Sequence, residues 1–156
     1  MEFGITRLGT LAVYKEALRL YPPAYMLVRR ATNDTRLGKL KVKRGDQVVI
    51  GLRQMHRNPK YFEAPDEFRP SRFMPTSPKP PSFSFLPFGA GPKSCVGEPL
   101  AYREALLVLK AMCEAFAFSR DERSIGEVPL ITLRPGKGQK LTLRRRVHKE
   151  ALLGVH

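Results

Sequence analysis

The segment from Phe88 to Gly97, FGAGPKSCVG, constrains this chain more than any other stretch of its sequence. Three glycines, Gly89, Gly91 and Gly97, surround a single cysteine, Cys95, and a long apolar helical pattern begins directly after them. Glycines this dense allow positive φ angles and let a bulky planar group approach the backbone closely. Because the N-terminus of a helix favours negative charge, a cysteine placed there is biased towards its thiolate form. The segment therefore predicts a loop that presents Cys95 as an axial ligand of iron.

A second segment, KEALRLYPP, carries two opposite charges on a predicted helix. Glu16 and Arg19 are three residues apart and therefore share one helix face. A solvated surface pair, which contributes little to stability, is the ordinary interpretation. Leucine and alanine residues on most sides of the helix favour burial instead, and a buried pair requires its remaining hydrogen-bonding groups to be satisfied. Arg72, in the later segment FRPSRF, is the candidate third member of such a cluster.

Together these segments resemble three motifs of the cytochrome P450 family, in the same order along the chain. The loop follows the family pattern Phe-x-x-Gly-x-x-x-Cys-x-Gly-x-x-x-Ala, which closes here at Ala101. Glu16, Arg19 and Arg72 match the family's Glu-x-x-Arg helix and Phe-x-Pro-x-Arg-Phe segment, whose charged residues form a triad that locks the loop. The resemblance implies a mixed α and β fold, mainly α, corresponding to the C-terminal part of the family's fold. Its parts are the Glu-x-x-Arg helix, a small β-sheet, a meander, the cysteine loop, a long helix and a terminal β-hairpin.

The resemblance also implies roles in binding heme b. Cys95 is expected to ligate the iron as a thiolate, Phe88 to shield it, and Lys93 and Arg29 to contact the heme propionates. Lys93 stands where the family usually has arginine, and a lysine offers a hydrated point charge in place of a planar fork of donors. For Arg29 the alternative is an ordinary surface position. The full set of expected cofactor-binding residues is Phe88, Gly89, Gly91, Lys93, Cys95, Gly97, Ala101 and Arg29.

Members of the family insert one oxygen atom of O₂ into an organic substrate, so the resemblance implies a monooxygenase. It implies a small apolar organic substrate, lined by residues 25–28 and 131–136, and a ferredoxin or flavoprotein reductase as the electron donor. Two alternatives stay open. One is a non-catalytic truncated remnant that serves as an interaction module. The other, a basic nucleic-acid-binding protein, leaves all three motifs unexplained, so no nucleic-acid partner is expected.

The resemblance extends from about Leu8 to about Leu143 and includes no match to the family's long central helix. We therefore expect residues 1–156 to form a partial cytochrome P450 domain, with a core at 8–143 and a flexible tail at 144–156. A missing N-terminal half is an expected partner. The chain alone is not expected to hydroxylate substrates at a useful rate.

The chain has 28 Lys and Arg residues against 14 Asp and Glu, a formal net charge of +14. Such a balance often indicates nucleic acid, acidic partners or anionic membranes, but the charges are scattered apart from Arg144–Arg146. No apolar run reaches the length of a membrane span and no signal-peptide pattern is present, which predicts a cytoplasmic location. A membrane anchor in a missing N-terminal part is the alternative. Cys95 and Cys113 lack C-x-x-C spacing, so neither a zinc site nor a disulfide is indicated.

Hydrophobic periodicity and turn residues predict the remaining elements. His56 is expected to cap a helix or lie on the surface, and Cys113 is expected in the core. The predicted helices are 8–20, 52–57 and 98–117, and the predicted strands are 25–30 and 47–51, with residues 41–42 pairing back towards a turn at 35–38. The proline-rich stretch 65–87 is expected to be an ordered but irregular meander. A hairpin is expected to pair 130–133 with 140–143.

Overall fold

A computed structural model of the chain describes residues 6–120, 126–138 and 140–146. Within these ranges the fold mixes helices and strands, as predicted. None of the helices in these ranges is both long and apolar enough to cross a membrane. The helical elements are α1 (Arg7–Leu20), α2 (Leu52–His56), α3 (Glu98–Ala115) and two short 3₁₀ turns, Pro70–Phe73 and Gly91–Lys93.

The strands of the described ranges form four separate two-stranded antiparallel sheets. The first two sheets lie between α1 and α2 along the chain, and the last two follow α3. The pairs are β1 (Met26–Arg30) with β4 (Gln47–Gly51), β2 (Thr35–Leu37) with β3 (Leu40–Val42), β5 (Phe116–Arg120) with β8 (Leu141–Arg145), and β6 (Glu127–Pro129) with β7 (Leu133–Pro135).

Helix α1 is the central element, and its ends follow from the sequence. The Thr6 hydroxyl accepts a hydrogen bond from the Gly9 amide at 3.1 Å, which satisfies one of the free donors of the first turn. The helix stops at Leu20 because Pro22 and Pro23 cannot continue it. It packs against α3 and against the 3₁₀ turn of the meander. Three of the buried hydrophobic side chains, Ala12, Leu18 and Leu20, lie on α1 itself, and the others among the described residues are Val42, Leu52 and Phe62.

The predicted pairing of residues 130–133 with residues 140–143 in a terminal hairpin is wrong. Strand β7 pairs with β6 across residues 130–132, whereas β8 pairs with β5, directly after α3. The physical reason is that the chain leaves α3 in an extended conformation at Phe116, with φ −133° and ψ 146°. This offers β8 a five-residue partner in which Phe118 lies opposite Leu143. Strand β7 has only three residues, and its Pro135 has no amide to donate.

Two predicted boundaries also move. Helix α3 ends at Ala115, so residues 116–117, predicted as helix, belong to β5. Arg144 and Arg145, predicted in a flexible tail, are the last residues of β8 and lie opposite Ala117 and Phe116. Pairing with β5 gives these two arginines regular backbone partners. The rest of the expected tail, from 147 onwards, lies outside the described residues.

An ion pair that the sequence did not suggest joins α2 to β6. Arg53 donates twice to the Glu127 carboxylate, at 2.7 and 2.8 Å, in a side-by-side geometry. The hydrogen bond from Arg53 is the main reason why the pKa of Glu127 lies below its ordinary value. The two residues are 74 positions apart, so no local pattern reveals the contact.

Candidate functional site

The cysteine loop is held by its own backbone. The amide of Cys95 donates to the carbonyl of Phe88 at 2.9 Å, which closes the loop between them. Inside it, the Ser94 amide donates to the carbonyl of Gly91 at 3.0 Å. Helix α3 begins three residues after the cysteine, with Gly97 as its N-cap. Cys95 therefore lies at the entrance of the longest described helix, as the sequence predicted.

Two glycines in the loop adopt the left-handed conformation that favours glycine. Gly89 has φ +75° and Gly91 has φ +74°. A β-carbon at Gly89 would lie 3.7 Å from Leu27 of β1, which is ordinary contact, and one at Gly91 would meet no atom within 4 Å. Gly97 acts differently, because a β-carbon there would lie 3.7 Å from the sulfur of Cys95. The glycines thus shape the loop and keep one side of the sulfur uncovered.

Replacing Gly89 with alanine is expected to destabilise the fold by about 1–2 kcal/mol, the typical cost of a left-handed conformation for a residue with a β-carbon. The cost is backbone strain, since the new methyl group has room. A urea unfolding curve measures it. Gly126→Ala is the matched control, because Gly126 also has open space around it but lacks a positive φ angle. Equal unfolding midpoints for the two variants would contradict the prediction.

The surface around Cys95 is exposed and apolar. The cysteine is a free thiol at the surface, Val96 beside it is 98% exposed, and Leu100 one turn into α3 is 68% exposed. Among the described residues, no group of three or more His, Cys, Asp and Glu side chains could hold a metal ion. A planar apolar group that carries its own metal fits both features.

Phe88 packs behind the loop on an aromatic residue that the sequence did not single out. Its ring lies 5.4 Å from the ring of Tyr102 on α3, and Tyr102 makes an edge-on contact at 5.5 Å with Tyr14 on α1. Burial, followed by the negative charge of Glu98 and the neighbouring Tyr14, raises the pKa of Tyr102 to about 12. Tyr102 is therefore a neutral packing residue that contacts both Phe88 and Tyr14 of α1.

The other expected cofactor residues differ in their surroundings. Lys93 ends the 3₁₀ turn that starts at Gly91, with its side chain exposed. Ala101 lies half-buried in the first turns of α3, where its amide donates to Gly97 at 2.9 Å. Arg29 is exposed on β1 and donates at 3.0 Å to the backbone of Val28. The structure places β1 beside the loop through Leu27, so Arg29 lies two residues from that contact.

The structure brings Glu16, Arg19 and Arg72 together. Glu16 and Arg19 are fully buried, and Arg19 donates to both carboxylate oxygens at 2.8 and 2.9 Å. Arg72 donates to the same carboxylate at 3.3 Å and to the carbonyl of Ala64 at 2.8 Å. The backbone amide of Arg69 adds a further donor to Glu16 at 2.8 Å. The pair on α1 is thus the buried kind rather than a solvated one.

Arg19 uses every donor of its guanidinium group, which has five N–H bonds. Two go to Glu16, and the other three go to backbone carbonyls of His56, Pro65 and Glu67, at 2.9, 2.6 and 3.0 Å. These carbonyls belong to α2 and to the start of the meander. A buried charge is tolerated when its hydrogen-bonding capacity is filled in this way. Arg19 therefore ties the meander to α1.

His56, expected at a cap or on the surface, is instead fully buried. Its Nε2 accepts a hydrogen bond from the amide of Leu86 at 2.9 Å, and its ring lies 5.3 Å from that of Phe85. Burial, and then the positive charge of Arg19, lower the pKa of His56 to about 4. Backbone groups of Arg19 and Leu18 act in the opposite direction, but none completes a hydrogen bond to its Nδ1. The sequence placed His56 near the end of the short helix predicted at 52–57, which Asn58 and Pro59 follow, and it gave no sign of burial.

Comparison with known proteins agrees with this geometry. Residues 10–142 match the sequence model of the cytochrome P450 family, and the chain belongs to that family. It is 34% identical over 137 residues to mouse cytochrome P450 4V2, a match that covers 86% of this chain and 26% of that protein. It is 43% identical over 109 residues to steroid 17-alpha-hydroxylase/17,20 lyase of Pan troglodytes, covering 67% of this chain and 22% of that protein.

Solved structures give the same fold. The heme domain of cytochrome P450DA superposes with a TM-score of 0.83 at 27% identity, covering 92% of this chain and 32% of that one. A second cytochrome P450 superposes with a TM-score of 0.81 at 30% identity, covering 89% and 32%. The chain thus spans about a quarter of the first two curated relatives, which it matches over 26% and 22% of their lengths. The helices, sheets, meander and cysteine loop described above are part of the cytochrome P450 fold.

Proposed function

We propose that this chain is the heme-thiolate binding segment of a cytochrome P450 monooxygenase, with the sulfur of Cys95 as the axial ligand of heme b. The observation that carries the proposal is an uncovered thiol on a closed backbone loop, beside exposed apolar side chains. Family membership supports the same conclusion. Bound heme would supply the iron at which O₂ is reduced and one oxygen atom is transferred to an organic substrate.

The residues of this chain would act on one side of that reaction. Cys95 would donate electron density through its sulfur, and the hydrogen bond from its amide to the carbonyl of Phe88 holds its backbone in the loop. Phe88, held by Tyr102, would exclude water from the sulfur side. Lys93 and Arg29 are exposed cations that would pair with the heme propionates. We infer a small apolar organic substrate, with a ferredoxin or a flavoprotein reductase as the electron donor.

The alternative of a non-catalytic interaction module draws on one observation. Helix α3 exposes Leu100, Leu107 and Val108 in addition to the apolar residue beside Cys95. Exposed apolar surface of this extent commonly marks a contact with another protein surface. This alternative predicts no specific iron ligation, so a spectroscopic test separates the two.

The test is the absorbance spectrum of the protein after addition of heme, reduction and exposure to CO. A thiolate ligand should produce a strongly red-shifted Soret band. Cys95→Ser should abolish that band, because a serine hydroxyl cannot replace a thiolate in donating electron density to the iron. Cys113→Ser is the matched control, since Cys113 is the other free cysteine and lies on α3, away from the loop. A parent protein without the band, or an unchanged band in the Cys95 variant, would overturn the assignment.

A further inference from the structure

His56 contacts the two functional parts of the fold through different atoms. Its backbone carbonyl accepts from Arg19 of the buried charge cluster at 2.9 Å. Its side chain, through Nε2, accepts from the amide of Leu86 at 2.9 Å. Leu86 is the start of the segment that leads to Cys95. One buried residue at the end of α2 therefore joins the cluster to the cysteine loop.

The connection continues without a gap from Leu86 to the cysteine. The carbonyl of Leu86 accepts from the amide of Gly89 at 3.0 Å, which forms a turn. Phe88 is one of the two residues between them, and its carbonyl accepts from the amide of Cys95 at 2.9 Å. The amide that His56 fixes thus belongs to the same short segment as the carbonyl that holds the cysteine backbone.

The geometry also defines the chemical state of the imidazole. An Nε2 that accepts a hydrogen bond carries no proton, so the proton of the neutral ring lies on Nδ1. This Nδ1 is buried and has no hydrogen-bond partner among the described residues. An aliphatic side chain would fill the same space without an unpaired donor. The ring is therefore better explained by the acceptor that it offers to Leu86 than by packing alone.

We propose that His56 is a positioning residue that sets the cysteine loop by accepting the Leu86 amide through Nε2. The inference rests on the proposed function, because the loop matters for ligation only if Cys95 binds heme iron. Its mode of action would be indirect, since the hydrogen bonds and ring contact described for His56 involve Arg19, Leu86 and Phe85. Groups that orient a metal ligand from outside its direct contacts typically change metal affinity by about 10–100-fold when they are removed.

Replacing His56 with glutamine or with asparagine tests whether the position of the acceptor atom matters, because both side chains are polar amides but carry their oxygen at different distances from the backbone. The side-chain oxygen of glutamine is as many bonds from the backbone as Nε2, whereas the oxygen of asparagine corresponds to Nδ1. His56→Gln should therefore keep the bond to Leu86, and His56→Asn should lose it. Amide hydrogen exchange of the heme-free protein reads this contact directly. We expect about tenfold faster exchange at Leu86 in the asparagine variant and near-parental exchange in the glutamine variant.

The amide of Tyr21, which donates to Ala17 at the end of α1, serves as an internal reference for global opening. Heme titration of the same proteins should give about tenfold weaker binding for His56→Asn and near-parental binding for His56→Gln. Unchanged protection of Leu86 in His56→Asn, relative to Tyr21, would overturn the proposal. So would equal loss in both variants, because that result fits a purely structural role of the ring.

Imidazole ¹⁵N chemical shifts of the unaltered protein give a readout that requires no variant. The Nδ1-protonated tautomer is expected at neutral pH, and the Nε2-protonated tautomer would overturn the proposal. Failure of the proposed heme ligation can be told apart from failure of the proposed role of His56. A parent protein without a thiolate spectrum rejects the proposed function. A thiolate spectrum with equal heme affinity in all three proteins rejects only the positioning role.

Discussion

Replacement of Arg19 by methionine is expected to destabilise the fold by about 3–5 kcal/mol, the usual effect of removing one partner from a buried ion pair. Methionine has a similar length and no charge, so the change removes the guanidinium without leaving a large cavity. The Glu16 carboxylate would keep only Arg72 and one backbone amide as donors. Three carbonyls of α2 and the meander would lose their partner as well. Since domains are stable by about 5–15 kcal/mol in total, this loss is a large share.

Urea unfolding of matched arginine variants measures the effect. Arg72→Met should lie between the parent and Arg19→Met, because Arg72 makes one longer contact to Glu16 and one contact to a carbonyl. Arg69→Met is the control: its backbone amide still donates to Glu16, and its side chain pairs, among the described residues, with the exposed Glu63 and Glu67. Its midpoint should stay close to that of the parent. Equal midpoints for Arg19→Met and Arg69→Met would mean that the buried pair does not stabilise the fold.

The charge cluster shows what sequence reasoning can and cannot supply. The i,i+3 spacing of Glu16 and Arg19 and the apolar residues around them predicted a buried pair, and the Phe-x-Pro-x-Arg-Phe segment pointed to Arg72. The carbonyls that complete Arg19 could not be predicted. They lie 37 to 48 positions away in segments whose path depends on the packed meander. A pattern identifies side chains, whereas backbone acceptors have no sequence signature.

The strands show a second limit. Residues 41–42 were predicted to pair back towards a turn at 35–38, and they do pair back, but residues 35–37 form strand β2 rather than part of the turn. The pairing of β5 with β8 joins segments on either side of another sheet, and the helical pattern of α3 concealed the start of β5. Local turn chemistry favours the nearest partner, but the final register depends on which exposed strand edges are available. The hairpin prediction failed because it considered only neighbours in sequence.

The candidate site divides in the same way. The loop around Cys95 is encoded locally, by glycines whose positive φ angles were expected and are present at Gly89 and Gly91. His56 has no such signature, because its burial arises from the packing of the meander aromatics Phe85 and Phe73, whose rings lie 4.7 Å apart. The conformation of the loop could be predicted from local sequence, whereas the burial of His56 could not.

The same burial predicts a pH dependence of stability. The pKa of His56 is lowered from 6.5 to about 4 by burial and then by Arg19, so the unfolded chain binds a proton more readily than the folded one. The stabilising contribution of neutral His56 is therefore complete above about pH 6.5 and is lost as the pH falls to about 4. Each pKa unit corresponds to about 1.4 kcal/mol, so the loss across this window amounts to about 3 kcal/mol. Well below pH 4 the ring is protonated in both states and its effect is constant.

Carboxylates also titrate at acidic pH, so the His56 contribution is measured as a difference. His56→Gln keeps an acceptor for Leu86 but cannot be protonated in this range, and the carboxylates are common to both proteins. The free energy of unfolding of the parent, minus that of His56→Gln, should be constant above pH 6.5. It should then fall by about 3 kcal/mol between pH 6.5 and 4. A difference that does not change with pH would mean that the imidazole is open to solvent and titrates normally. The direction matters as well: a parent that gains stability over the variant on acidification would require a protonated His56 in the folded state. In that state an N–H on Nε2 would face the N–H of Leu86, and the hydrogen bond between these two residues would be lost.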